Sequence, residues 1–442
     1  MIWNPPMETM ARAHLERLQL ERLRNAAARV YERVPLYRQR FDEAGIRSDA
    51  IRSLADCARL PFTYKRDFRD QYPMGLFASP QSEVVRIHAS SGTTGKPTVV
   101  GYTRADIANW AEVCARSLAA SGARPGDVFQ NAYGYGLFTG GLGMHYGAEL
   151  LGMTVLPVSG GNTDRQIMLL QDFRVRVMAC TPSYALTLAE ALSARGIARG
   201  SLALRIGVLG AEPWTEGMRQ QIEAQLGIDA VNIYGLSEVI GPGVSNECVE
   251  AKSGSHIFED HFLAEVIDPH TDALRAPGEV GELVITTLTK EAVPVIRYRT
   301  GDMTALNTDA CACGRTHVRM GPVVGRTDDM LIIRGVNVYP SQVEAALLGM
   351  PELSAHYQLV VTRDRTLDDL EVLVEVAGRF ARGVDGRVSD AHPAVAGLAE
   401  LCRQRLRSAL GIATRVTLAA PGSLPRSEGG KLRRVRDERK LG

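Results

Sequence analysis

Eight residues, Ser90-Ser91-Gly92-Thr93-Thr94-Gly95-Lys96-Pro97, set two glycines, four hydroxyls and one ammonium within a single short segment. Glycine admits backbone conformations closed to other residues and lets the chain approach a ligand closely. The hydroxyls and Lys96 supply donors in between, which is the composition of a loop that wraps phosphates. It is not a Walker A loop, which places four residues between its glycines and Ser or Thr directly after the Lys. Here only Thr93 and Thr94 separate the glycines, and Pro97 follows Lys96. A second constellation joins Cys248, His256, Cys311 and Cys313. Four soft or borderline donors suit tetrahedral zinc, and four protein ligands leave no open position, so such an ion would be structural. The Cys-x-Cys spacing is looser evidence than paired Cys-x-x-Cys knuckles, and two unrelated reduced thiol pairs on loops stand as the alternative.

The flanks of the glycine loop, Val84 to Ile87 and Thr98 to Tyr102, read as strands, so the loop is expected to be a strand-to-strand turn. Upstream, Leu20, Leu23, Ala27, Val30, Tyr31 and Val34 recur at helical spacing, and Pro35 ends that helix. Tyr72 to Phe77 is expected as a loop laid over the core. Downstream, strands and helices alternate from Ile107 to Ile233. Such alternation implies a mostly parallel sheet with helices on both faces, and in such folds ligands bind at the carboxyl ends of strands. Gly210-Ala211-Glu212-Pro213 and Tyr234-Gly235-Leu236-Ser237-Glu238 occupy two of those ends. From about Phe262 the pattern turns β-rich, with Val295 to Tyr298 as a strand before Arg299-Thr300-Gly301-Asp302. Gly325-Arg326-Thr327-Asp328-Asp329 marks a boundary. A small α+β unit follows, in which Ser341 and Glu344 fit a capping box, Arg379 to His392 is a polar loop, and a basic tail closes the chain. The expected fold is α/β: a large N-terminal domain over 1–327 with βα-built sheets and a β-rich subdomain, then a small mobile α+β domain over 328–442.

A chain of 442 residues exceeds one ordinary hydrophobic core. Its formal net charge of +1 gives no global reason to expect nucleic acid or a membrane as partner. No run of eighteen apolar residues occurs, and the first residues do not read as a signal peptide. Seven cysteines without regular pairing point to a reducing compartment. The expectation is a cytoplasmic enzyme.

Taken in order, the glycine loop, Gly-Ala-Glu-Pro, Tyr-Gly-Leu-Ser-Glu, Arg-Thr-Gly-Asp, Gly-Arg-Thr-Asp-Asp and a late Gly-Lys resemble the acyl-adenylate-forming (AMP-binding) superfamily. Val34 to Arg38, Tyr72 to Phe77, Asn131 to Gly141 and Leu424 to Gly429 are similar to the phenylacetate–coenzyme A ligases within it. The resemblance covers essentially the whole chain. It implies that a carboxylate attacks the α-phosphate of ATP and that a thiol then displaces AMP. On this resemblance Ser90, Ser91, Gly92, Thr93, Thr94, Gly95 and Lys96 hold the leaving phosphates, and Glu238 is the magnesium-associated carboxylate. Tyr234 faces adenine, bordered by Gly210, Ala211, Glu212 and Pro213, with Asn232 and Gly235 beside it. Asp302 takes the ribose hydroxyls, with Arg326 nearby. Lys431 bridges the carboxylate and α-phosphate, Asp328 is the hinge, and the segment from Gly335 to Pro340 lines the coenzyme A tunnel. Tyr135, Phe138, Gly140, Ala211, Ile240 and Pro242 line the acid pocket.

The reading is an aryl-acid–coenzyme A ligase using ATP, Mg²⁺ and coenzyme A, with a structural Zn²⁺ possible and a homodimer expected. A stand-alone adenylation enzyme that loads a carrier-protein thiol shares the chemistry and differs only in the acceptor. A non-catalytic nucleotide-binding regulator is disfavoured by the presence of Glu238, Asp302 and Lys431 together.

Overall fold

A computed structural model of the chain describes residues 1–47, 50–90, 97–327, 331–334, 336–348, 350–364, 367–378, 395, 397–427, 432 and 434–439. The chain divides into two compact units. One comprises Met1–Cys180, Leu202–Ala211 and Asp229–Pro322; the other comprises Thr181–Ser201, Glu212–Ile228 and Val323–Gly442. Among the described residues no helix is long and apolar enough to cross a membrane.

In the first unit, helices α1 (Pro5–Glu8), α2 (Arg12–Arg33), α3 (Pro35–Glu43) and α4 (Lys65–Asp70) precede the sheets. Strands β1 (Arg86–Ala89) and β2 (Val99–Tyr102) pair antiparallel, with Ala89 opposite Val99, so the glycine loop joins two strands as its flanks predict. Thr103 then caps α5 (Arg104–Ala120): its hydroxyl accepts from Asp106 N–H at 3.1 Å while the Asp106 carboxylate accepts from Thr103 N–H at 3.0 Å. The same carboxylate accepts from the N–H groups of Glu291 at 2.7 Å and Ala292 at 3.0 Å, tying a distant turn to the helix start. Beyond β3 (Val128–Asn131), helix α6 (Gly140–Leu151) packs tightly on α5. A Cβ at Gly143 would lie 2.5 Å from the Trp110 ring, so glycine is what permits that approach.

The alternation continues through β4 (Thr154–Leu156), α7 (Thr163–Asp172), β5 (Val177–Cys180), α8 (Pro182–Ala194), β6 (Ile206–Gly210), α9 (Glu216–Leu226) and β7 (Asp229–Leu236). Strands β4, β3, β5, β6 and β7 lie side by side and parallel, as βα repeats require. Strands β8 (Gly241–Glu247) and β9 (Ser255–Ile257) then add on antiparallel, β8 beside β7 and β9 beside β8. A second, antiparallel sheet contains β10 (Phe262–Ile267), β11 (Gly281–Thr287) and β12 (Tyr298–Thr304) in that order. The short strands β13 (Leu306–Asn307) and β14 (Arg319–Met320) extend the first sheet beyond β9.

In the second unit, α8 and α9 pack together. After β15 (Gly325–Arg326) come the pair β16 (Leu331–Ile333) and β17 (Val336–Val338), helix α10 (Pro340–Leu347), the long pair β18 (Leu353–Asp364) and β19 (Leu367–Val376), helix α11 (Leu398–Leu410) and strands β20 (Arg415–Ala419) and β21 (Val435–Asp437). The order β20-β19-β18-β21 forms a sheet whose apolar face, with Leu359, Val361, Val372 and Val374 fully buried, packs with Leu406 and Cys402 of α11.

Four expectations are corrected. Pro35 ends α2 but also opens α3, because proline is favoured in the first turn of a helix. The first loop-flanking strand is Arg86–Ala89 rather than Val84 to Ile87. The third correction places Arg299 to Asp302 inside β12 rather than after a strand; the chain turns just before, at Arg297, where φ is +44°. Helix α10 is capped two residues earlier than expected, by Tyr339 rather than Ser341, with Tyr339 N–H donating to the Gln342 side chain at 3.0 Å. Glu344 instead accepts from Thr215 N–H at 3.1 Å and from the Tyr357 hydroxyl at 2.9 Å. The expected loop from Arg379 to His392 lies outside the described residues.

Candidate active site and metal cluster

Strands β6 and β7 end side by side, and glycine fixes how closely. A Cβ at Gly210 would stand 2.1 Å from the Ile233 carbonyl oxygen. The next residue, Ala211, is forced to φ +72°, a left-handed conformation rare for a residue with a Cβ. Strand β7 carries Asn232, Tyr234 and Gly235, with Glu238, only 8 % exposed, two residues past its end. The Tyr234 hydroxyl donates to the Asp302 carboxylate at 2.6 Å, joining the end of β7 to β12. Tyr234 and Asp302, 68 positions apart in the sequence, are thus brought together. Ser90 donates its N–H to the Thr98 carbonyl at 3.0 Å. Ser91, Gly92, Thr93, Thr94, Gly95, Lys96, Asp328, Gly335 and Lys431 lie outside the described residues. Pro213 is exposed.

In the second unit, the Glu212 carboxylate accepts from Ser183 N–H at 2.7 Å and from Leu432 N–H at 3.3 Å. Arg434 is half-buried over the Tyr357 ring, 4.4 Å from its centroid and 3.7 Å from Glu344. The basic tail is therefore partly structural here, with β21 pairing parallel to β18. Arg326 lies on β15, beside Gly325.

Among the expected acid-lining residues, the Tyr135 hydroxyl stands 2.9 Å from the Asn131 amide and 3.2 Å from His145 Nδ1. Burial pushes the Tyr135 phenol up to about 12, so it is neutral at physiological pH. Phe138 is partly exposed, Gly140 opens α6, Ile240 immediately precedes β8 and Pro242 is its second residue. The hydroxyls of Thr139 and Ser237, 3.0 Å apart, tie the segment before α6 to the segment before β8.

Cys248, His256, Cys311 and Cys313 come together: their ligand atoms all lie within 4.8 Å of one another. Cys248 Sγ is 3.6 Å from Cys311 Sγ, and Cys313 Sγ is 3.4 Å from His256 Nε2. A tetrahedron with metal–sulfur arms of about 2.3 Å has edges of about 3.8 Å, so these separations suit a zinc ion. His256 Nδ1 lies 3.2 Å from the His317 carbonyl oxygen, which only accepts, so Nδ1 carries the proton and Nε2 offers its lone pair to the cluster. Hydrogen bonding from Cys248, with His256 adding, holds the Cys313 thiol well below its ordinary value while Cys248 is pushed up.

The cluster's position relative to the strand ends follows from register. Leu236 pairs with Gly241 at one end of the β7–β8 hairpin, and Ile233 pairs with Asn246 further down. Cys248 lies past the far end of β8, roughly 17 Å from Leu236 at about 3.4 Å per residue.

One group of residues beside the cluster escaped sequence reasoning. Arg315 and Glu8, both fully buried, pair at 2.6 Å, and Arg315 also donates to the Met1 carbonyl at 2.7 Å. Thr316 reaches the carbonyls of Glu8, through its N–H at 3.1 Å, and of Met10, through its hydroxyl at 2.8 Å. The first ten residues thus buttress the loop that carries Cys311 and Cys313. No local pattern signals a pair whose members are separated by most of the chain.

The matches to known proteins agree with this arrangement. The model of the AMP-binding enzyme family matches residues 46–289, and that of the AMP-binding enzyme C-terminal domain matches residues 335–439. A phenylacetate-coenzyme A ligase of Thermus thermophilus is 60% identical over 445 residues, covering 100% of both chains. One of Escherichia coli is 52% identical, covering 99% of this chain and 98% of the other. Among solved structures, a 2-hydroxyisobutyryl-CoA ligase in its postadenylation state superposes with a TM-score of 0.91 at 30% identity, covering 99% of this chain and 92% of that one. With coverage this complete and identity this high, the chain belongs to the AMP-binding enzyme family, closely related to phenylacetate–coenzyme A ligases.

Proposed function

We propose that this chain is an aryl-acid–coenzyme A ligase that works through an acyl-adenylate. The observation that carries the reading is full-length likeness to phenylacetate-coenzyme A ligases at up to 60% identity, with Tyr234 and Asp302 hydrogen-bonded at a strand end. An oxygen of the acid attacks the α-phosphorus of ATP, the bond to pyrophosphate breaks, and the acyl-adenylate forms. The thiol sulfur of coenzyme A then attacks the acyl carbon, the bond to AMP breaks, and the thiol proton passes to solvent. Such chemistry is mostly positioning and charge stabilisation. In this reading the loop from Ser90 to Lys96 holds the leaving phosphates, Asp302 orients the ribose, and Tyr234 lies against adenine. Glu238 offers the hard oxygen donor that suits magnesium, whose charge would offset that of the phosphates. Lys431, on a small domain beginning at Asp328, neutralises charge as the adenylate forms.

A panel of phenylacetate, benzoate and substituted benzoates, assayed for coenzyme A-dependent release of AMP, tests the reading. Thioester formation from at least one aryl acid is expected; acyl transfer only to a phosphopantetheinyl carrier protein, or no acid-dependent pyrophosphate exchange, overturns it.

We also propose that Cys248, His256, Cys311 and Cys313 hold one structural zinc ion. The donor set and the sulfur–sulfur and sulfur–nitrogen separations support it, as does the cluster's distance from the strand ends that carry Tyr234 and Glu238. Purified protein should contain about one zinc per chain. Cys311→Ser should lose the metal and melt at lower temperature with the KM values for acid and ATP unchanged; metal-free wild-type protein of undiminished stability overturns the assignment.

A further inference from the structure

Strand β1 leads directly into the glycine loop and β2 leads out of it, and three buried rings sit behind them. His88 of β1 meets Tyr102 of β2 edge-on, with centroids 5.4 Å apart, and meets Trp110 of α5 edge-on at 5.6 Å. Tyr102 and Trp110 stack at 4.9 Å. None of the three is more than 1 % exposed. Each ring also brings one polar atom to a main-chain carbonyl. His88 Nδ1 is 3.0 Å from the Leu137 oxygen, the Tyr102 hydroxyl donates to the Ile240 oxygen at 2.9 Å, and Trp110 Nε1 donates to the Pro242 oxygen at 3.0 Å. The three carbonyls belong to two segments, 135–140 and 240–242, that the family resemblance assigns to the acid pocket. Buried aromatic rings with a polar handle use that handle when a partner is within reach. Here all three partners fall on segments that the resemblance places beside the acid.

We propose that His88, with Tyr102 and Trp110, is a positioning residue that fixes the acid-lining segments to the strands flanking the phosphate loop. The inference rests on the assignment of those segments to the acid. A carbonyl oxygen only accepts, so His88 carries its proton on Nδ1. Among the described residues its buried Nε2 has no hydrogen-bond partner. Burial, with the neighbouring charges of Arg86 and Lys290, holds the imidazole below its ordinary value and so keeps the ring neutral. The Leu137 oxygen also accepts from Ala89 N–H at 3.0 Å, so β1 grips this carbonyl with one main-chain and one side-chain donor. Residues 135–140 are also tied at either side, through Tyr135 to Asn131 and through Thr139 to Ser237, and the imidazole adds a second donor on the carbonyl between them. In this scheme the acid and the phosphates are held in register by one rigid aromatic group rather than by two independent loops.

Two substitutions separate the donor from the ring. His88→Phe keeps an aromatic edge and removes the donor; His88→Asn places an amide N–H close to where Nδ1–H stands. Measured with phenylacetate, ATP and coenzyme A, His88→Phe should raise the KM for the acid about tenfold, as loss of one buried hydrogen bond implies, with the KM for ATP little changed. Deuterium uptake over residues 134–141 should quicken in the same variant, and His88→Asn should restore both readouts most of the way. Wild-type KM and uptake in His88→Phe would overturn the proposal. So would an equal rise in the KM values for acid and ATP, or His88→Asn behaving as His88→Phe while both melt near the wild-type temperature. Should His88→Phe fail to fold, Tyr102→Phe removes the bond to Ile240 and should show the same acid-selective rise; an unchanged acid KM then overturns the proposal. Failure of the functional reading has a different signature, since wild-type protein would then turn over no aryl acid while the uptake comparison could still be read.

Discussion

The nine-stranded sheet has a parallel half, β4-β3-β5-β6-β7, and an antiparallel half, β8-β9-β14-β13, and the two halves hold their polar groups differently. At the carboxyl ends of the parallel strands, Ala211 sits in a left-handed conformation, and Tyr234 commits its hydroxyl to Asp302 across to another sheet. In the antiparallel half, the four candidate metal ligands converge, and the surrounding chain supplies their outer contacts. His256 is oriented by the His317 carbonyl, and the Cys311–Cys313 loop is backed by the Arg315–Glu8 pair. Parallel strands must be joined by crossovers, so their ends open onto loops where substrates enter. In the antiparallel half the ligands come from the end of β8, from β9 and from the connection between β13 and β14, and strand pairing brings these segments together. The same sheet therefore offers a place for chemistry at one end and a place for a staple at the other.

The largest effect expected is on the stapled side. Glu8→Ala removes the carboxylate paired with buried Arg315 and leaves it only the Cys313 thiol and the Met1 carbonyl; breaking a buried pair typically costs about 3–5 kcal/mol. Urea unfolding should show that loss while the KM values for acid and ATP stay put. A loss below about 1 kcal/mol would mean that the Met1 carbonyl and water satisfy Arg315 without its carboxylate.

On the chemical side, Lys431→Ala should slow adenylate formation by about 10²-fold or more, the scale seen when one preorganised donor is lost from a charged transition state. Stability should hardly move. Thioester formation from preformed acyl-adenylate and coenzyme A should suffer much less, because the lysine is proposed to act only in the first step. Equal slowing of both half-reactions would contradict that division of labour. A smaller effect is expected from Tyr234→Phe, which deletes the 2.6 Å bond to Asp302. Loss of one hydrogen bond to a carboxylate is worth about 1.5–3 kcal/mol, so the KM for ATP should rise at least tenfold. If the KM for the acid rises instead, Tyr234 borders the wrong ligand.

The contrast between the halves also explains what could be read in advance. Alternation of βα units between Ile107 and Ile233 marks out the parallel half, because each strand there is a short apolar run between helices, as Val177–Cys180 is before Pro182–Ala194. The cysteines and His256 were legible as a donor set because few other residue types suit a soft metal. Their buttress was not legible, since Glu8 and Arg315 look like ordinary charged residues until the chain brings them together. Pro35 misled in a different way: proline both stops one helix and starts the next, and sequence alone shows only the stop. The strand Tyr298–Thr304 was placed too early because apolar Val295 and Ile296 look more strand-like than Arg299 and Asp302, although these polar residues alternate along the strand itself.

Ala211 offers the smallest and most diagnostic test, because two effects of opposite sign meet there. Its left-handed backbone costs a residue with a Cβ about 1–2 kcal/mol. Glycine would remove that cost but would gain freedom in the unfolded chain, which takes back about 0.5–1 kcal/mol. Ala211→Gly should therefore raise stability by about 0–1.5 kcal/mol, readable as a small upward shift of the urea midpoint at constant slope. If the strain exists to hold the β6 end in place for the acid, the same substitution should raise the acid KM slightly even as the fold gains stability. Ala211→Leu keeps the strain and adds bulk, so it should raise the acid KM much further with ATP binding little changed. A leucine variant that loses ATP binding and keeps the acid would place Ala211 on the nucleotide side. A glycine variant that gains stability with no change in either KM would make the left-handed turn a consequence of Gly210 packing against Ile233 and nothing more.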